Sequence, residues 1–271
     1  FQRDSNKDTL VKNVTTGRGK KLELQYGLLK DNRPSGYQPV FENYYPYINF
    51  SNTMKVVSAL SVDNGIGGLN RSTYNYGNAK FHLAGRGFQG FESIEQTDEA
   101  AQIVTTTGFF TEFPYSGMVS QKIVQDSSDR ILSRYDVNYN DLYPGNYSEG
   151  DAYCFYPEKS TLTKYVHAAS NGSLTSSEST ANTVVTTTET SKNTYCQVTS
   201  SQVVTNDGTA EKTVTTVNTY DNDETGSPNC DASSQVSSSM LCSSTTTAEI
   251  SYLTNNYIGN SSLSVDDSVT T

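Results

Sequence analysis

Tryptophan is absent from this sequence of 271 residues, and histidine occurs only at His82 and His167. A Ser or Cys nucleophile needs an imidazole or similar base within hydrogen-bond reach, so two histidines leave little room for such chemistry. Basic side chains are scarce as well: 19 Lys and Arg face 29 Asp and Glu, for a net charge of -10. Nucleic acid and anionic membranes are held by basic patches, which excludes nucleic acid as the main partner. No apolar run approaches the roughly 18 to 20 residues of a membrane-spanning helix, so direct membrane insertion is not expected either. Cysteine is limited to Cys154, Cys196, Cys230 and Cys242, with no C-x-x-C pair. A zinc site is therefore not expected, and neither is any other metal or cofactor. In an oxidising compartment the four allow two disulfides, in any of three pairings, with four unpaired thiols as the alternative expectation.

Hydrophobic residues make up 34% of the chain, and 19 Tyr and 10 Phe supply most of the bulk. With Thr, Val and Ser, these suit half-exposed pleated strands better than helices, and an all-β chain is expected. In Lys21-Leu22-Glu23-Leu24-Gln25-Tyr26 the two leucines share one face and the polar residues the other. Val11–Thr15 and Lys21–Tyr26 read as a strand pair around Thr16-Gly17-Arg18-Gly19, followed by a loop from Lys30 to Asn52. Val56–Val62 and Arg71–Tyr76 flank a wide turn at Asp63–Gly68, Gly77-Asn78 turns again, and Lys80–Leu83, Phe88–Thr97 and Ile103–Thr111 continue an antiparallel meander.

Beyond Met118 the texture changes to strand, polar turn, strand: Val119–Gln125 and Ile131–Tyr139, then Gln197–Thr205 and Glu211–Tyr220 around Asp207-Gly208. A boundary is expected near Asp141–Glu158, dividing the chain into 1–140 and 141–271. The Ser/Thr-rich stretches Ser170–Thr190 and Gly226–Ser244 read as strand and loop, with disorder as the competing expectation. Phe1 and Thr271 fall inside patterned sequence, so a piece of a longer protein is expected.

One ordered set of motifs stands out. It comprises Val57–Gly68 with Asp63, Asn64, Gly65, Gly67 and Gly68, then Tyr74-Asn75-Tyr76, then Gly85-Arg86-Gly87-Phe88-Gln89-Gly90-Phe91, and Phe113-Pro114-Tyr115-Ser116-Gly117. Glycines at this density mark backbone with positive φ or close approach, and the aromatics between them mark surface to be covered. The set resembles the region after the β-propeller in the B component of Tc insecticidal toxin complexes and in SpvB-like proteins. Downstream, Val198-Thr199-Ser200-Ser201, Asp207-Gly208 and Thr219-Tyr220-Asp221 are similar to degenerate Rhs and YD-repeat units. The resemblance implies a non-catalytic wall segment of a hollow β cocoon that encapsulates a C-terminal toxin polypeptide. Its implied partners are the upstream propeller and downstream Rhs shell of the same polypeptide, other toxin complex subunits and the enclosed toxin.

The residues themselves suggest no catalytic site. His82 and His167 sit in apolar surroundings and read as packed or surface residues. Asp136–Asp141 has the alternating oxygens of a calcium loop but lacks its sixth-position Gly and twelfth-position Glu, so it reads as a solvated turn. Asp221–Glu224 reads as a charged loop. Arg86 either stacks on an aromatic or bridges carboxylates to lock a sheet corner, or is a solvated turn residue. The alternative function, an extracellular adhesin or glycan-binding module, rests on Asn43-Tyr44-Tyr45-Pro46-Tyr47.

Overall fold

The computed structural model describes residues 10–29, 43–50, 53–141, 154–166, 183–193, 196–220, 241–252 and 263–265. Within them the fold is all-β, with neighbouring strands antiparallel, and it divides into two compact units, Phe1–Ile131 and Leu132–Thr271. No helix among the described residues is long and apolar enough to cross a membrane.

In the first unit the strands are β1 (Asn13–Thr15), β2 (Lys21–Leu28), β3 (Tyr47–Asn49), β4 (Lys55–Asp63), β5 (Leu69–His82), β6 (Gly87–Asp98), β7 (Ile103–Phe109) and β8 (Val119–Asp126). They pair in the order β1-β2-β4-β5-β6-β7-β8, and β3 adds to the far end of β5, with Tyr47 opposite His82. β2 shows the expected alternation: Leu22 and Leu24 are half-buried while Glu23 and Gln25 are exposed. The expected turn at Gly77-Asn78 does not form. β5 runs through it as one strand of 14 residues. Asn78 instead takes a φ of 44° in the middle of the strand, and its Nδ2 donates to Glu92 Oε2 at 2.6 Å. A Cβ at Gly77 would lie 2.2 Å from Ser93 Oγ, so a side chain there would force that hydroxyl to another rotamer. Gly-Asn reads as a turn in sequence, but here the pairing of β5 with β6 continues across it in register, Gly77 opposite Ser93 and Ala79 opposite Phe91. The expected loop from Lys30 to Asn52 likewise contains β3.

The second unit holds most of β9 (Ile131–Asp141), then β10 (Phe155–Tyr165), β11 (Thr183–Lys192), β12 (Val198–Asn206), β13 (Ala210–Tyr220), β14 (Leu241–Tyr252) and β15 (Leu263–Val265), each strand from β10 pairing with the one before it. Asp136–Asp141 is strand, not a turn. Arg134 Nε donates to Asp136 Oδ2 at 2.8 Å, so that carboxylate is matched by a guanidinium. Within Ser170–Thr190, residues from Thr183 on lie in β11, and within Gly226–Ser244 those from Leu241 on lie in β14. The rest of both stretches, and Asp221–Glu224, lie outside the described residues.

Cross-strand threonines set the character of this sheet. Thr186 and Thr205 hydroxyls meet at 3.3 Å and those of Thr216 and Thr246 at 3.0 Å, the polar analogue of an aliphatic cross-strand pair. One bridge reinforces it. Cys154, just before β10, is joined to Cys196 in the β11–β12 turn, with Cα atoms 5.8 Å apart. Cys230 lies outside the described residues, and Cys242 lies in β14.

Two carboxylates pin turns. Asp207 Oδ1 accepts from the Thr209 hydroxyl at 2.7 Å and from the amides of Thr209 and Ala210, and these bonds, the hydroxyl first, hold its pKa below the ordinary 3.8. Asp126 is lowered chiefly by the Arg130 guanidinium, whose Nε lies 2.7 Å from Oδ2. A lowered folded pKa contributes stability that is present above the unfolded value and lost as pH falls through the folded one. Amide exchange at Thr209 and Ala210 is therefore expected to accelerate as pH drops below about 3.8, relative to its intrinsic rate. Asp207→Asn should abolish that acid dependence at the turn.

Candidate functional site

The motif residues separate into two groups at opposite ends of β5. At about 3.3 Å per residue, the 14 residues of that strand place them some 40 Å apart.

The first group is the β4–β5 loop. Asp63 Oδ1 accepts the Gly65 amide at 2.8 Å, and Asn64 Oδ1 accepts those of Ile66 at 3.0 Å and Gly68 at 2.9 Å. Asn64 N also donates to Gly68 O at 3.0 Å. Gly65 and Gly67 take φ of 80° and 90°, the left-handed region that a side chain would strain. Asp and Asn are thus needed as local acceptors and the glycines as backbone, which leaves Ile66 displayed and 90% exposed.

The second group is the β5–β6 hairpin corner. Gly85 and Gly87 turn the chain with φ of 95° and 74°. Alternation along β5 sends Phe81 to one face and Lys80 and His82 to the other. On the Phe81 side, Phe88 packs edge-on against Phe50 at 5.3 Å and Phe91 at 5.5 Å, and Phe91 meets Tyr76 at 4.7 Å. This cluster runs into the small core of Leu29, Val56 and Ala79. On the other side, the Tyr47 ring meets His82 edge-on at 4.9 Å, and the Tyr47 hydroxyl accepts the Phe113 amide at 3.0 Å.

The loop from Phe110 to Met118 closes over the corner. Phe113-Pro114 is cis, and Tyr115 packs on Phe110 with ring centroids 5.8 Å apart. The Arg86 guanidinium lies over the Phe113 ring, 3.4 Å from its centroid. Gln89 is buried and donates from Nε2 to Arg86 O at 3.2 Å and Gly87 O at 3.1 Å, while its main-chain carbonyl accepts the Ser116 hydroxyl at 3.0 Å. Gly90, with φ 97°, follows directly. Replacing Gln89 with Ala leaves two turn carbonyls without their donor, and about 2 kcal/mol of first-unit stability should be lost in urea unfolding.

Phe50 and Glu112 were not singled out by sequence reasoning, and Tyr47 and Gln89 entered only as members of longer motifs; partners lie up to 68 residues away, as for Glu112 and Tyr44. Glu112 accepts the Tyr44 hydroxyl and sits 3.6 Å from Lys80 Nζ. Burial, then that hydrogen bond to Glu112, pushes the Tyr44 hydroxyl up to about 12, so it stays a donor. Tyr44 and Tyr47 therefore have hydrogen-bond partners within the corner, and of that tyrosine run Tyr45 is the most exposed, at 81% against 44% for Tyr44. His82 is buried and its Nδ1 has no hydrogen-bond partner, so no nucleophile is aligned on that nitrogen. His167 lies outside the described residues. No group of His, Cys, Asp and Glu suited to a metal occurs among the described residues.

These features define an all-β antiparallel meander braced by an aromatic, glycine-turned corner. Residues 2–121 match the family described as the middle/N-terminal region of the insecticide toxin TcdB, and this segment is a Tc-toxin B-component region. No curated protein matches the chain. Its fold is similar to that of a chain in the Photorhabdus luminescens Tc holotoxin pore, with a TM-score of 0.58 and 11% identity over 90% of this chain. It is also similar to a chain in the TcdB2-TccC3-Cdc42 crystal structure, with a TM-score of 0.54 and 9% identity over 85% of this chain. The sequence spans only 15% and 14% of those two chains.

Proposed function

We propose that this chain is a non-catalytic wall segment of a secreted Tc-type toxin shell that encapsulates a separate toxin polypeptide. Its partners are an upstream β-propeller and a downstream Rhs/YD-repeat shell in the same polypeptide, together with other toxin complex subunits. The motif residues from Asp63 to Tyr115 serve as architecture in this reading, shaping two turns and a corner.

The observation that carries the reading is the scarcity of buried side chains. Among the described residues the buried apolar ones are Leu29, Val56, Ala59, Ala79, Val137, Cys154 and Tyr156. A compact enzyme domain of this size buries a far larger core. In the second unit one face carries the row Asp136, Thr161, Thr187, Val204, Thr213 and Glu249, which are cross-strand neighbours in turn. Polar side chains on such a face keep it wet and offer no hydrophobic grip to an unfolded cargo, while the hydrogen-bonded ladder supplies stiffness. The family match over 2–121 and the fold likeness to Tc toxin chains support the same reading.

The test uses the full-length parent protein. A photo-crosslinking side chain is placed at Thr187 and, in a second variant, at Thr188, which alternation directs to opposite faces. Crosslinks to the enclosed polypeptide from one position and not the other are expected. If neither position crosslinks and the isolated chain sediments as a monodisperse monomer that melts cooperatively, the wall reading fails, because a cut-out segment should expose sheet edges and self-associate. The exposed Tyr45 favours a second reading, a glycan-binding module; binding on a glycan array that Tyr45→Ala removes would support it.

A further inference from the structure

We infer that the groove between the β1–β2 turn and the β4–β5 loop is a docking site for an acidic peptide segment bearing an apolar side chain. This goes beyond the shell reading and does not depend on it. The groove has a volume of about 470 Å³ and is lined by Arg18, Lys20, Asp63, Asn64, Gly65 and Gly67. Register brings these turns together, because Thr15 pairs with Lys21, Leu22 with Val62, and Asp63 with Leu69.

Charge selects the partner. In a chain of net charge -10, Arg18 and Lys20 face the same groove, are exposed, and ion-pair with no other described residue. Asp63, the one acid in the lining, has its Oδ1 turned into its own loop to accept the Gly65 amide. At about 0.15 M salt the Debye length is roughly 8 Å, so the distant acidic residues are screened and the local cation pair dominates the encounter.

Ile66 argues for a peptide rather than a bare anion. It sits between two lining glycines at the tip of a loop held by three side-chain-to-amide hydrogen bonds, and it is 90% exposed. A preorganised loop presents its apolar side chain without an ordering cost on binding.

The probe is a fluorescein-labelled oligoglutamate peptide with one central leucine, titrated against the full chain by fluorescence anisotropy at about 0.1 M salt, where charges beyond roughly 10 Å are screened. Binding is expected. Arg18→Glu/Lys20→Glu should weaken it about tenfold, since reversed charges repel the peptide. Ile66→Ser, and a peptide with serine in place of leucine, should each weaken it about fivefold through lost apolar burial. Lys122→Glu, on β8, should change nothing, and circular dichroism should be the same for all variants because the altered side chains are exposed. The inference is overturned if the wild-type chain does not bind, if charge reversal leaves affinity unchanged, or if an oligolysine peptide binds equally well. Tighter binding of a heparin oligosaccharide through Arg18 and Lys20 would also overturn it, by assigning the groove to a sulfated glycan.

Discussion

Loss of the Cys154–Cys196 bridge is expected to destabilise the second unit by about 4 kcal/mol, the chain-entropy cost of freeing a loop with a sequence separation of 42. The bridge links the residue before β10 to the turn between β11 and β12, two strands away in the sheet. The strands it ties are rich in Ser and Thr, and of the described side chains in this unit only Val137, Cys154 and Tyr156 are buried and apolar. A sheet with so little apolar burial depends strongly on any restriction of its unfolded state. The Cys154→Ser/Cys196→Ser double variant avoids mispairing with Cys230 or Cys242. Amide exchange in β10–β12 should accelerate strongly while β4–β6 stays unchanged. The urea midpoint of the second unit should fall by about 2 M for an m-value near 2 kcal/mol/M. Unaltered exchange in β10–β12 would show that the sheet holds without the bridge.

Leu29→Ala should cost the first unit about 3 kcal/mol, the usual range for a buried leucine whose cavity cannot fully collapse. Leu29 is 1% exposed and is the largest fully buried side chain among the described residues. It packs on Val56 and Ala79, and Phe50, Met54, Tyr76 and Phe91 close around them. Ala79 is itself buried, so β5 has no larger side chain there to move into the space left by Leu29. Leu83→Ala is the matched control: Leu83 is exposed, and its loss should change stability by no more than about 0.5 kcal/mol. Urea unfolding of both variants, followed by first-unit amide exchange, checks the difference.

Much of the strand pattern was legible in the sequence, because period-2 alternation and turn chemistry are local. Asp207-Gly208 sits in the turn between β12 and β13, with Gly208 at φ 86°, as the Asp-Gly pair indicates. Gly77-Asn78 misled for the same reason. The dipeptide has turn chemistry, and only the continued pairing of β5 with β6 keeps it inside a strand. Asp136–Asp141 misled in a second way: alternating oxygens suit a loop that gathers them around one point, yet in β9 Asp136, Asn138 and Asn140 stand in a row along one face, roughly 6.6 Å apart, and cannot converge.

The site shows the same division. The need for Asp63, Asn64 and the loop glycines could be read locally, because their hydrogen bonds span two to four residues. The roles of Tyr47 and Glu112 could not, because each is defined by a partner 66 or 68 residues away. For Arg86 both stacking and solvation were open until the loop from Phe110 to Met118 placed Phe113 beneath it.

By itself, then, the sequence determined an all-β, acidic chain turned by glycine, asparagine and aspartate, since composition and alternation act within a few residues. It also carried the motifs that mark residues 2–121 as a Tc-toxin B-component region. Only the tertiary structure decided that those motifs lie at two ends of one long strand, that Cys154 pairs with Cys196, and that a cationic groove opens beside Ile66. Each of these depends on which strands become neighbours, and that is set by long-range register and burial, quantities that no short window of residues contains.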